Sequence, residues 1–79
     1  MDNTQKYNHA FMESFSINES MLNSELLYNT IEAWDSVGHM SLIATLEDAF
    51  EIMLEMDDIV DFSSYERGFE ILAKYGIQF

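Results

Sequence analysis

The chain has no cysteine, no proline, three glycines and three basic residues among its 79. Without cysteine, neither a disulfide nor a thiolate metal site can brace the fold. Without proline, breaks between elements must come from Gly, Ser, Asn and Asp. Three Lys and Arg against 15 Asp and Glu leave a net charge of −12. Such a field repels phosphate backbones and anionic lipid, so nucleic-acid binding is excluded and the expected partners are proteins with basic patches. No apolar run approaches the roughly 20 residues of a membrane span. The start Met1-Asp2-Asn3-Thr4 lacks the basic residues of a signal peptide. A cytoplasmic chain with no membrane insertion is the expectation.

What is present argues for a packed core. Hydrophobic residues make up 48% of the chain and aromatics 14%, which is inconsistent with disorder. The length suits one small domain over residues 1–79, expected to be a monomer, with no room for a deep walled active site. The acid is concentrated late: residues 1–34 hold five acids against Lys6, and residues 35–79 hold ten against Arg67 and Lys74. Glu47, Asp48, Glu51, Glu55, Asp57, Asp58 and Asp61 follow one another with no base between them. A solvated face is the plain reading of that run. Asp57, Asp58 and Asp61 could converge weakly on a hard cation, but they lack the alternating acids and central Gly of a calcium loop, so no dedicated metal site is expected. On the solvated-face reading, neutralising Asp57 and Asp58 should relieve repulsion and stabilise the fold.

Apolar spacing of three and four predicts a first helix over Thr4 to Phe15, through Tyr7, Ala10, Phe11, Met12 and Phe15. Ser16 to Trp34 has no clean period and reads as a long loop draped over the core by Met21, Leu22, Leu26, Leu27, Ile31 and Trp34. A weak extra helix near Glu25 to Tyr28 is the alternative for part of it. Trp34 reads as a plug anchoring this segment. Asp35 or Ser36 caps a second helix from Val37 to Phe50. Asp57-Asp58 suits the first turn of a short third helix ending near Phe62. Ser63 and Glu66 match a capping box, opening a last helix to about Tyr75, with Gly76 as its left-handed stop and Phe69, Leu72 and Tyr75 as its buried stripe. Nothing alternates with period two for long enough to make a sheet. The expected architecture is all-α: a small four-helix bundle with three longer helices, one short third helix, and a long loop between helices 1 and 2.

The second helix is unusually apolar. With Val37 at zero and about 100° per residue, Leu42, Ile43, Leu46, Ala49 and Phe50 share a core arc. Val37, Met40 and Ala44 fall on the other side, among Glu47, Asp48 and Glu51. An apolar strip rimmed by acid suits a partner offering a hydrophobic groove edged with Arg or Lys. The competing reading is that this strip touches the short third helix. Ser36 sits where the helix begins, and a helix N-terminus tolerates a phosphate because its first N–H groups are free.

Asp35-Ser36-Val37, followed by Met40 and Leu42 and opening an acidic helix in a small four-helix domain, resembles the acyl carrier protein family. The likeness is strongest from Trp34 to Phe50 and returns at Asp61-Phe62-Ser63-Ser64. It implies that Ser36 carries 4′-phosphopantetheine by a phosphodiester, placed there by a phosphopantetheinyl transferase, with Asp35 beside the attachment point. Glu47 and Asp48 match acidic docking positions of that family. It further implies that acyl or aminoacyl groups ride the arm as thioesters between loading and transfer enzymes with basic docking patches. Val37 stands where the family usually has Leu. Fatty-acid members commonly carry acids two and five residues after the serine, where this chain has Gly38 and Ser41. The segment before the motif reads Glu32-Ala33-Trp34 and lacks the usual Gly. A dedicated carrier of a modified cargo therefore fits better than the housekeeping carrier of fatty-acid synthesis. The alternative from another class is an acidic helical adaptor that binds basic partners through the same helix without an arm. An enzyme is not expected: Ser36 and His39 share a helix, but no orienting carboxylate or oxyanion hole is evident. His39 reads as a surface or boundary residue, and the methionines as gap-fillers.

Overall fold

Asp2 opens the first helix with a reciprocal cap: its carboxylate accepts from the Gln5 N–H, and the Gln5 side chain accepts from the Asp2 N–H. The computed structural model describes residues 1–79, with helices α1 (Asn3–Phe15), α2 (Ser36–Phe50), α3 (Met56–Asp61) and α4 (Tyr65–Ala73). There are no strands; the chain is all-helical, with a radius of gyration of 11.3 Å. No helix is long and apolar enough to cross a membrane.

The core is one cluster. Tyr7, Ala10, Phe11 and Phe15 of α1 meet Leu42, Ile43 and Leu46 of α2 and Ile71 and Leu72 of α4, closed by Leu26, Trp34, Leu54 and Phe62 from the connections. Aromatic rings fill much of it: Phe11 lies within contact range of Tyr7, Phe15, Trp34, Phe62 and Tyr65.

Between α1 and α2, a single 3₁₀ turn forms over Glu19–Met21. The alternative of a weak helix near Glu25 to Tyr28 is not what forms there. Leu27 instead pairs with Ser64 as an isolated antiparallel bridge, with Tyr28 N–H donating to the Ser63 carbonyl and Tyr65 N–H to the Leu26 carbonyl. That bridge also corrects the start of α4. The bridge holds Ser64 extended, with φ −156° and ψ 163°, so Ser64, not Ser63, is the cap, its hydroxyl accepting from Arg67 N–H. The stop is as expected: Gly76 has φ +85°, Gly76 N–H donates to Ala73, and Ile77 N–H reaches back to Leu72. The buried stripe of α4 is Gly68, Ile71 and Leu72, with Phe69 and Tyr75 only half-buried.

Candidate functional site

Asp35 is extended, and its carboxylate accepts from Gly38 N–H at 2.8 Å, which starts α2 at Ser36. Ser36 is exposed at the first helical position. Its own N–H and that of Val37 have no partner within the chain, because the helical ladder begins with His39 N–H on the Asp35 carbonyl. Gly38 lies hard against the preceding turn: a Cβ there would stand 1.8 Å from the Ala33 carbonyl oxygen.

Beside Ser36 opens a cavity of about 370 Å³ between α2 and α3. Its walls are mainly apolar, from Met40, Met56, Ile59, Val60 and Phe62, with Tyr28, Ser36, His39 and Ser63 contributing the polar groups. No Lys, Arg, Asp or Glu lines it.

Of the six residues expected to meet partners, Val37, Met40, Ala44, Asp48 and Glu51 are exposed and Glu47 is half-buried. Val37 is 80% exposed and Met40 54%, with Met40 on the rim of the cavity toward α3. Ala44 and Asp48 line a different depression, an open groove of about 450 Å³ along α1 that also holds Lys6, His9 and Glu13. Glu47 is half-buried, and its carboxylate accepts from Leu54 N–H at 2.9 Å, closing the turn after α2. Glu51 is the exposed left-handed residue that ends α2, with φ +54°.

His39 is half-buried at the boundary of the core, with both ring nitrogens engaged. Trp34 Nε1–H donates to His39 Nδ1 at 2.9 Å, and His39 Nε2 lies 2.8 Å from the Ile59 carbonyl. Nδ1 accepts and Nε2 must therefore donate, which fixes the neutral ring with its hydrogen on Nε2. No ring nitrogen is left to take a proton from Ser36, so the Ser36–His39 pair has no base. His39 falls at about 200° on the α2 wheel, inside the core arc.

Five of the seven acids in the run are exposed, as a solvated face requires, while Glu47 is half-buried and Asp58 is not solvated. Asp58 is buried, its carboxylate shared between Lys74 Nζ and Tyr75 Oη, while Tyr75 Oη accepts from Glu55 N–H. Asp61 pairs with Arg67. Asp58 and Asp61 thus turn to separate partners, and no cluster of three acids that could hold a cation assembles. Hydrogen bonds from Lys74 and Tyr75 hold the Asp58 carboxyl below the usual range, and Asp58 in turn raises Lys74. A carboxyl lowered in the fold contributes stability above its unfolded value and loses it as pH falls through the folded one. A raised lysine contributes below its unfolded value and loses it only in strong alkali. Asp58→Asn should therefore lower the melting temperature at neutral pH, the opposite of the relief expected from charge alone. It should also flatten the acid loss that the parent shows below about pH 4. Asp57→Asn, at an exposed position, should raise the melting temperature slightly in low salt. Thermal melts of both variants across pH check the pair.

No family model, no curated protein and no solved structure matches this chain.

Proposed function

We propose that the chain is a carrier of the acyl carrier protein kind, a small four-helix bundle whose Ser36 accepts 4′-phosphopantetheine from a phosphopantetheinyl transferase. The observation that supports it is the placement of an exposed serine at the first position of α2, on the lip of the apolar cavity toward α3. When bound, the arm supplies a terminal thiol that holds an acyl or aminoacyl group as a thioester. The chain's own residues do the rest. Ser36 Oγ provides the point of attachment, and the unpartnered Ser36 and Val37 N–H groups at the helix start would be free to donate to a phosphodiester. Asp35 fixes the start of the helix through Gly38 and so holds the attachment point rigid. Met40, Met56, Ile59 and Val60 offer apolar walls to a cargo folded back from the arm. Val37 and Met40, with the surrounding acid, present a surface for loading and transfer enzymes with basic patches, and the chain itself performs no catalysis. A dedicated cytoplasmic pathway and a monomeric state complete this reading.

The exposed Val37, Met40, Met53, Met56 and Val60 would serve an arm-free adaptor equally well, and this is the second reading. Treatment with coenzyme A and a phosphopantetheinyl transferase separates the two. The intact mass should rise by one arm, peptide mapping should place it on Ser36, and Ser36→Ala should fold normally and gain nothing. A parent chain left unmodified, under conditions that convert a known carrier, leaves the adaptor.

A further inference from the structure

His39 joins three elements at one point. Its ring sits among Trp34, Tyr28 and Phe62, and through Ile59 it reaches α3. Trp34 is fully buried, packed by Phe11 and Phe15, so its indole cannot follow a partner that moves. The indole and imidazole planes differ by 15° with centroids 6.2 Å apart. Together with the 2.9 Å nitrogen separation, this is a side-by-side arrangement in which the N–H points along the Nδ1 lone pair.

We propose that His39 is a proton-sensitive pin: neutral, it ties Trp34 to α3, and a second proton on the ring releases α3 and opens the cavity beside Ser36. The added proton, drawn from solvent, bonds to Nδ1 through the lone pair that now accepts from Trp34. Two N–H groups then face each other across that contact, and turning the ring over changes nothing because both nitrogens carry hydrogen. The indole is left as a buried donor without an acceptor, which is costly. Coplanar rings give the cation no aromatic face of Trp34 in return. The imidazolium is driven toward the cavity mouth and water, and because the ring is rigid, leaving Trp34 also takes Nε2 off the Ile59 carbonyl.

The surroundings offer the cation no free carboxylate. On α2 the nearest acid in sequence is Asp35, whose carboxylate is engaged with Gly38 N–H. The connection before α2 contributes the Tyr28 phenol, and α3 contributes the Ile59 carbonyl beside Asp58, which is turned to Lys74 and Tyr75. No charged side chain lines the cavity. The pin does not depend on whether Ser36 carries an arm.

Trp34 is the single tryptophan, so its fluorescence reports on the pin directly. Lowering pH from about 8 to about 5, where histidine is the side chain that ordinarily changes charge, should give a reversible one-proton step. His39→Gln, whose amide is neutral throughout, should abolish the step, and His9→Gln should keep it. At the acid end, α3 amides of the parent should exchange roughly tenfold or more faster than those of His39→Gln at the same pH, the scale set by one orphaned buried donor. Ring nitrogen resonances of the parent at neutral pH should show hydrogen on Nε2 alone, a measurement that needs no variant. A step that survives His39→Gln or disappears with His9→Gln overturns the proposal. So does a neutral ring protonated on Nδ1, or α3 exchange no faster than in the variant.

Discussion

Trp34→Ala is expected to cost about 3–5 kcal/mol, the range for emptying a large buried aromatic site. Stability for a domain of this length is of order 4–12 kcal/mol, at roughly 0.05–0.15 kcal/mol per residue, so the variant should be marginal at 37 °C. Three effects add. Trp34 is fully buried against Phe11 and Phe15, and truncation leaves a void that three packed elements cannot close. His39 Nδ1 loses its donor. Asn29 N–H donates to the Trp34 carbonyl and Trp34 N–H to Ile31, so the side chain also anchors a tight backbone turn just before Ser36. Trp34→Phe keeps most of the volume and should cost well under half as much. Urea titration followed by circular dichroism measures both, and an alanine variant within about 1 kcal/mol of the parent would show that the site collapses freely.

Gly68 should tolerate no side chain. A Cβ there would stand 2.0 Å from Tyr7 Oη and 2.4 Å from Phe62 Cζ. Both rings are fully buried, and the Tyr7 hydroxyl is held by the Tyr65 carbonyl. Alanine in a helix interior normally gains up to about 1 kcal/mol over glycine. Forcing extra atoms into a filled core typically costs about 1–3 kcal/mol and sometimes more, so the overpacking should win. Gly68→Ala should melt several degrees lower, at about 4–8 °C per kcal/mol for a domain this small, and Gly68→Val should barely fold. Tyr7→Phe removes the atom nearest the new Cβ. Combined with Gly68→Ala, it should therefore cost less than the two single changes added together, a non-additivity that a double-mutant cycle reads directly. Strict additivity would place the collision elsewhere.

What the sequence disclosed follows the reach of local rules. The extent of α2 and its buried Leu42, Ile43 and Leu46 came from period and capping, which depend on neighbours within a turn or two. Gly76 was legible for the same reason. Ser63 and Ser64 were not separable by local pattern, because both can cap. The decision came from Leu26 to Tyr28, more than thirty residues earlier in the chain, which pairs with Ser64 and holds it extended. Asp58 was misread through composition: seven acids between residues 47 and 61 with no base among them imply a wet surface, yet Lys74 and Tyr75 arrive from the end of α4 to enclose one of them. At the site, Ser36 and Asp35 stand where capping chemistry put them. Glu47 also accepts from Leu54 N–H and closes the turn after α2, a contact that only the path of the chain after α2 creates.

The tight seat of Gly38 reaches beyond stability. With the Ala33 carbonyl oxygen 1.8 Å from where a Cβ would begin, no acid can be installed two residues past Ser36 unless residues 33–35 take another route. The missing charge at position 38 is therefore written into the main chain and is closed to single substitution. On the carrier reading, an enzyme that grips an anion at that position in fatty-acid carriers would find bare backbone here, flanked by Val37 and Met40. Grip at that one position would be barred by a carbonyl group, and a point mutation there would not restore it.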